Sequence, residues 1–328
     1  MTRATRTARS PCTGSRNYVR VMHAIRLHEF GPPENLRYED VEDPVAGEGQ
    51  VRIAVEAAGV HLIDTNIRAG RSGGPFPLPD LPMTPGREVA GTVGGRRVVA
   101  HLGMASGGYA ELALAPSEAL HDIPDGLASE VAVAAIGTGR TAVGILEVAE
   151  LTSDDVVLVL GAAGGLGGLF LQAARHAGAF SIGAAGGEQK VAQLDADLAL
   201  DYSRPGWSQG LRDRRVTVVL DGVGGELGRA ALETLAPGGR IVLFGFASGT
   251  PTEITTADLY RLGIRAEAGI GPRMMNRGLR ELETAALAAA AEGRLVPNVG
   301  ARYPLAEAAA AHRALEARRT TGKVVLIP

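Results

Sequence analysis

The sequence predicts an α/β protein in two parts: a β-rich part and a parallel sheet covered by helices. Up to about residue 130, short apolar runs alternate with period two and are broken by glycine and proline. After Thr138, short apolar runs alternate instead with longer helical patterns, as strands and crossover helices do. Size agrees, since 328 residues with 45% hydrophobic and 21% charged side chains suffice for two packed cores.

Residues 1–21 hold five arginines (Arg3, Arg6, Arg9, Arg16 and Arg20), no acid and no apolar stretch of a secretory signal. They are expected to form a disordered extension ahead of a first strand beginning at Met22. In Val51-Arg-Ile-Ala-Val, the residues Val51, Ile53 and Val55 share one strand face. Residues 70–86 carry five prolines (Pro75, Pro77, Pro79, Pro82 and Pro85) and read as an extended loop. Strands resume at Glu88–Val93 and Arg97–His101, with Gly94-Gly95 as a tight hairpin turn.

Further strands are predicted over Val156–Leu160, Phe180–Gly183, Leu198–Tyr202, Val216–Asp221 and Arg240–Gly245, with a closing strand at Lys323–Ile327. Helices are predicted over Gly165–His176, Gly225–Leu235, residues 277–292 and Leu305–Arg318, with Pro237-Gly238-Gly239 as a helix stop. The uncharged stretch Val156–Ala174 is long enough for a membrane span. Five glycines within eight of its positions (Gly161, Gly164, Gly165, Gly167 and Gly168) make strand, loop and helix the better reading. No membrane span is expected.

Composition removes several function classes. Lys+Arg number 33 against 36 Asp+Glu, a formal charge of −3, so nothing global draws the chain to nucleic acid. Its one cysteine, Cys12, excludes an intrachain disulfide and a multi-cysteine zinc site. The Gly-x-Ser-x-Gly string Gly70-Arg-Ser-Gly-Gly leads into the proline-rich stretch rather than from a strand into a helix, so no nucleophile elbow is read and a hydrolase is disfavoured. Only two of the basic residues are lysines, Lys190 and Lys323.

The segment Gly161-Ala-Ala-Gly164-Gly165-Leu166-Gly167-Gly168 follows an apolar strand and opens a helix. Glycines let a backbone approach a pyrophosphate, and the helix N-terminus supplies free N–H groups, so a Rossmann dinucleotide site is expected. The second strand ends in Gly183-Ala-Ala-Gly186-Gly187 without the acid that usually binds a ribose 2′-hydroxyl, and Lys190 follows. That pattern suits a 2′-phosphate, hence NADPH.

These motifs, with His28-Glu-Phe-Gly-Pro-Pro-Glu, Ala58-Gly-Val-His-Leu-Ile-Asp-Thr, Pro85-Gly-Arg-Glu-Val-Ala-Gly, Gly107-Gly-Tyr-Ala-Glu, Asp221-Gly-Val-Gly-Gly and Thr321-Gly-Lys-Val-Val-Leu, resemble the zinc-independent quinone oxidoreductases of the medium-chain dehydrogenase/reductase superfamily. The resemblance runs from Met22 to Pro328. It implies a chaperonin-like β-rich catalytic domain from residues 22–137 and 270–328, and a Rossmann NADPH-binding domain over 138–269. It implies Gly164, Gly165 and Leu166 at the pyrophosphate, and Lys190 and Tyr202 around the 2′-phosphate. Lys323 would reach the cofactor phosphates, Thr141 would lie near the nicotinamide, and Gly245 and Phe246 would border its pocket.

There are departures. Arg87 stands where the zinc-dependent branch has a histidine, so no metal is expected. Asn66 replaces a tyrosine, and His61 replaces a common asparagine. Asn66 and Thr141 are the candidate catalytic residues, able to donate hydrogen bonds to a developing oxyanion; Asp64 and Tyr109 read better as structural. Segments 92–97 and 191–197 are short for the family. The implied function is NADPH-dependent, metal-independent hydride transfer to a small apolar quinone or conjugated enone, by a cytoplasmic homodimer. An enoyl-thioester reductase, with Arg68, Arg71 and Arg273 as a basic mouth, is the second reading. A non-catalytic NADPH-binding redox sensor is the third.

Overall fold

The computed structural model describes residues 20–71 and 77–328, so all but the last two residues of the extension expected over 1–21, and part of the proline-rich loop, lie outside the described residues. In chain order the first elements are β1 (Val21–Leu27), β2 (Leu36–Glu42), β3 (Gln50–Val60), α1 (Leu62–Arg68), β4 (Glu88–Val93), β5 (Arg96–His101), β6 (Leu112–Pro116), β7 (Leu120–Asp122) and α2 (Ser129–Ala134). There follow α3 (Arg140–Ala149), β8 (Val156–Leu160), α4 (Gly165–Ala177), β9 (Phe180–Ala185), α5 (Glu188–Val191), β10 (Leu198–Asp201), β11 (Val216–Asp221) and α6 (Gly225–Leu232). The chain continues through β12 (Leu235–Leu243), α7 (Thr256–Leu262), β13 (Arg265–Ala268), α8 (Pro272–Arg277) and α9 (Leu279–Ala291). It ends with β14 (Val299–Pro304), α10 (Ala308–Glu316) and β15 (Lys323–Ile327). The chain forms two units, Met1–Ile136 with Val299–Pro328, and Gly137–Asn298.

The first unit is the β-rich one. Among the described residues its main sheet runs β14-β15-β3-β4-β5-β7, with β6 also paired to β3, beside the antiparallel pair β1–β2. Val93 pairs with Arg96 around Gly94 and Gly95, whose φ values of +58° and +87° meet the demand of a two-residue hairpin for positive φ. Ile25, Leu27, Ile53, Val89, Val98, Val324 and Leu326 fill the core. Pairing starts one residue before the expected Met22, because Val21 already pairs with Glu42 and the Arg20 carbonyl accepts from Asp43 N at 2.9 Å.

The second unit is a six-stranded, fully parallel sheet ordered β10-β9-β8-β11-β12-β13. Numbered within the unit, this is order 3-2-1-4-5-6, the doubly wound Rossmann order with its switch point between β8 and β11. The glycine loop leaves β8 at that switch point. β13 has no counterpart among the predicted strands, because Arg-Ala-Glu-Ala is an edge strand with little apolar surface to read. The expected helix stop at Pro237-Gly238-Gly239 is also corrected. α6 ends at Leu232, and these three residues form an irregularity inside β12 between the pairs Val216–Leu235 and Val218–Arg240.

The expected return to the first domain at residue 270 is moved to Val299. α8 and α9 belong to the parallel-sheet unit, because Met274 and Leu282 close on Gly144 of α3, where a Cβ would stand 2.9 Å from Met274 Cγ. The helical run Ser129–Ala149 is long and apolar enough to cross a membrane, but 67% of its apolar window is buried inside the protein, as in a core helix.

Candidate functional site

In the parallel-sheet unit, the carboxyl ends of the strands gather the residues expected at the cofactor. Gly161 leaves β8 at φ +66°, a conformation that favours glycine, and its carbonyl accepts from Gly164 N at 2.9 Å. Gly164 is the N-cap of α4 and offers no side chain, so the first-turn amides of Gly165, Leu166 and Gly167 have no earlier partner in the helix. A Cβ at Gly167 would stand 2.4 Å from the Gly161 carbonyl oxygen and 2.6 Å from Ala162 Cα, whereas one at Gly168 would meet open space. Bare backbone and an open helix N-terminus fit a dinucleotide pyrophosphate.

At the end of β9, Gly186 lies against Tyr202, where a Cβ would stand 2.9 Å from the ring. Tyr202 N donates to Ala185 O at 3.0 Å, and the ring meets Trp207 edge-on at 6.4 Å. Lys190 is half-buried on α5, which packs on β9 and β10. The crossover is as brief as the sequence suggests, four helical residues. The acid-free reading needs a correction here. β9 carries no acid, but its neighbour β10 brings Asp201 alongside, and Asp201 Oδ1 accepts from Gly187 N and Ser203 N, each at 2.9 Å. The Ser203 hydroxyl and these amides hold the Asp201 carboxyl below its ordinary range. Arg204 stands 3.7 Å from Asp201 and 3.9 Å from Glu188, so two basic and two acidic side chains share this rim.

On the other side of the switch point, the loops after β11 and β12 are laced together. Phe244 N donates to Asp221 O at 3.0 Å, Ala247 N to Gly222 O at 3.0 Å and Ser248 N to Val223 O at 2.8 Å. The fully buried Asp221 carboxylate caps its own loop, accepting from Val223 N at 2.8 Å and Gly224 N at 2.9 Å. Gly245 crosses closely over Gly222, and the Phe246 side chain projects outward. Thr141 opens α3 after the π-helical turn Ala135–Gly139, and its hydroxyl donates to Gly137 O at 2.9 Å. This changes the expected role of Thr141: its proton is engaged, so the hydroxyl offers lone pairs, suited to an amide N–H rather than an oxyanion.

In the β-rich unit, Asn66 lies half-buried on α1 and makes no side-chain hydrogen bond among the described residues. Asp64, two residues earlier, is buried; its Oδ2 accepts from His61 N at 2.8 Å and from the Tyr109 hydroxyl at 3.1 Å. Burial, followed by the charge of Asp64, pushes the Tyr109 hydroxyl well above its ordinary value. Both residues have structural work.

Lys323 requires a correction. Its side chain is 4% exposed, and its ammonium lies 3.0 Å from Glu88 Oε2 and 2.6 Å from His61 Nε2. An ammonium enclosed in this way has no free face for a cofactor phosphate. Glu88 is fully buried; burial alone would raise its carboxyl, but His61 and Lys323 hold it well below the carboxylate range. Gly59 makes room for the pair, since a Cβ there would stand 2.4 Å from Glu88 Oε2. The proposed basic mouth also fails. Arg68 is buried against Gly31 O and Glu316, and Arg273 lies 3.1 Å from Glu150.

Two family models match: an alcohol dehydrogenase GroES-like domain over residues 47–125 and a zinc-binding dehydrogenase domain over 194–326. The chain is 32% identical to a quinone oxidoreductase of Pseudomonas aeruginosa, covering 93% of this chain and 99% of the relative. The chain belongs to the quinone oxidoreductase family. Within the medium-chain dehydrogenase/reductase superfamily it is also 32% identical to a 2-haloacrylate reductase of a Burkholderia species, over 94% of this chain and 98% of that one. The quinone oxidoreductase of Thermus thermophilus, solved alone and in complex with NADPH, superposes with a TM-score of 0.80 at 34% identity, covering 94% of this chain and all of that one. The second domain's description implies zinc, and the residues present do not fit it. Among the described residues no three His, Cys, Asp or Glu side chains could hold a metal ion, and the ammonium of Lys323 already occupies the carboxylate of Glu88.

Proposed function

We propose that this quinone oxidoreductase family member is an NADPH-dependent, metal-independent reductase that transfers hydride to a small quinone or conjugated enone. The observation that carries this reading is the glycine loop at the switch point of the 3-2-1-4-5-6 sheet, with Lys190 and Tyr202 beyond it. The NADPH complex of the Thermus thermophilus relative and the names of the two curated relatives support it.

Bound NADPH would supply the hydride, and the chain's residues would do the rest. The first-turn amides after Gly164 would hold the pyrophosphate, and Lys190 and Tyr202 the 2′-phosphate. Thr141 would accept from the nicotinamide carboxamide, with Gly245 and Phe246 bordering the ring. Asn66 would donate to the acceptor carbonyl as negative charge develops there. An enoyl thioester is disfavoured as acceptor because all three arginines proposed to meet its phosphates form ion pairs within the protein. We read the protein as a cytoplasmic homodimer.

The test is NADPH absorbance against a panel of quinones, enones and enoyl thioesters. Turnover with a quinone or enone is expected. Oxidation only by enoyl thioesters would transfer the protein to the second reading, and no oxidation at all would leave a cofactor-binding protein.

A further inference from the structure

We propose that Asp221 is the positioning residue for the nicotinamide half of the site, its carboxylate locking the loops after β11 and β12 into the wall against which the nicotinamide of NADPH rests. The proposal rests on the NADPH reading above and deepens it by naming what orients the reactive end of the cofactor.

Charge assigns that end to the β11 side. Two helices leave the switch point, α4 after β8 and α6 after β11. The first turn of α4 carries no acid. The first turn of α6 carries Glu226, and the amide of its N-cap, Gly224, is already bonded to the Asp221 carboxylate. An anionic pyrophosphate is therefore drawn to α4 and turned away from α6. A dinucleotide crosses a doubly wound sheet at its switch point, one half on each side. With the 2′-phosphate end at Lys190 and Tyr202, beyond β9, the uncharged reduced nicotinamide falls over β11 and β12.

On that side the loops converge on one side chain. Asp221 is 0% exposed. Its Oδ1 accepts from Val223 N at 2.8 Å and Gly224 N at 2.9 Å, which fixes the turn after β11 through a single atom. Its Oδ2 accepts from the Thr252 hydroxyl at 2.5 Å, from the far end of the loop that follows β12. Space is kept for that bond, since a Cβ on Gly228 of α6 would collide with both Thr252 Oγ1 and Asp221 Oδ2.

The wall is built on the turn that Asp221 fixes. Gly222 O and Val223 O accept from Ala247 N at 3.0 Å and Ser248 N at 2.8 Å. Gly224, at φ +74°, passes so closely beneath Phe246 that a Cβ there would stand 3.0 Å from Phe246 Cβ. Removing the carboxylate strands two buried amides and frees Thr252, so the turn and the segment carrying Gly245 and Phe246 loosen together. The glycine loop has its own bond, Gly164 N to Gly161 O at 2.9 Å, so the pyrophosphate end keeps its shape without Asp221.

Binding to the full chain tests this, with NADPH and with 2′-phospho-ADP-ribose, the part of the cofactor that lacks the nicotinamide. Asp221→Ala should weaken NADPH about tenfold and leave 2′-phospho-ADP-ribose unchanged, whereas a domain that is merely destabilised loses both alike. The nicotinamide emission of bound NADPH should shift toward that of the free cofactor. Turnover with a quinone should fall about a hundredfold, the scale of a reactive group misplaced by about 1 Å. Asp221→Asn keeps a carbonyl oxygen for the two amides and should restore NADPH binding. Thr252→Val removes one bond to the carboxylate and should weaken NADPH about fivefold, again sparing the fragment. That variant decides the matter if Asp221→Ala does not fold. Equal weakening of both ligands, unchanged NADPH binding, or no recovery in Asp221→Asn overturns the proposal. Should the unmutated protein bind neither ligand, the cofactor reading fails and the role of Asp221 with it. Should it bind both and the variants lose both equally, that reading stands and only the role of Asp221 falls.

Discussion

Lys323 and Glu88, 235 residues apart in the chain, form a buried ion pair at 3.0 Å that joins the last strand of the β-rich unit to its fourth. Removing one member of such a pair leaves an uncompensated charge in the interior, which costs about 3–5 kcal/mol. Lys323→Met and Glu88→Gln should each lower unfolding stability on that scale. The double substitution Glu88→Gln with Lys323→Met should be less destabilising than the two single effects added, because no charge is stranded. Denaturant titration of the four proteins checks this, and strict additivity would mean that the pair is not coupled.

Gly167 and Gly168 are neighbours with opposite requirements. A Cβ at Gly167 would press on Gly161 O and Ala162 Cα at 2.4 and 2.6 Å, so Gly167→Ala should push α4 off the loop. We expect a loss of about 1–3 kcal/mol and weakened NADPH binding. Gly168→Ala has open space and a helical position, so it should be neutral or stabilising by up to about 1 kcal/mol. Thermal unfolding and cofactor titration of both variants should separate them.

Lys190→Ala should weaken NADPH by roughly 10–150-fold, the loss of a charge-assisted contact of about 1.5–3 kcal/mol, and affect NADH little. Fluorescence titration with both cofactors provides the measurement. Equal affinity for the two in the unmutated protein would instead assign the rim to Asp201, which the fold places beside Gly187.

Asn66→Ala should lower turnover about tenfold, as expected for one lost neutral hydrogen bond of about 1.4 kcal/mol in the transition state. Asn66→Tyr should be tolerated. Steady-state kinetics with a quinone tests both, and complete loss in Asn66→Ala with NADPH still bound would make Asn66 essential rather than orienting.

His312 is fully enclosed on α10, with Nδ1 unpartnered among the described residues, and burial pushes its pKa down to about 4. A neutral native ring and an unfolded ring titrating near 6.5 mean that the unfolded chain binds the extra proton between those values. Stability should therefore be unaffected by this group above about pH 6.5 and fall as pH drops from there toward 4, by up to about 3 kcal/mol. His312→Gln, which keeps a partner for Tyr109, should lose less over that window. Parallel pH–stability profiles of the two proteins test the assignment.

Local chemistry alone determined much of this protein. The Gly161–Gly168 loop, the strand before it and the helix after it are contiguous, so backbone freedom and hydrophobic run length sufficed to read them. The same holds for the hairpin at Gly94-Gly95, where two adjacent glycines meet a conformational demand of two adjacent residues. Tertiary structure decided whatever depends on distant partners. Whether Lys323 meets a phosphate or a carboxylate depends on β15 pairing beside β3, which places it against Glu88, and no local pattern encodes that neighbour. Asp201 reaches the end of β9 because β10 pairs there in parallel register, opposite Ala185. The second boundary falls at Val299 rather than residue 270 because α8 and α9 bury their apolar faces on α3, and a helical period shows that a face is apolar without showing what will cover it.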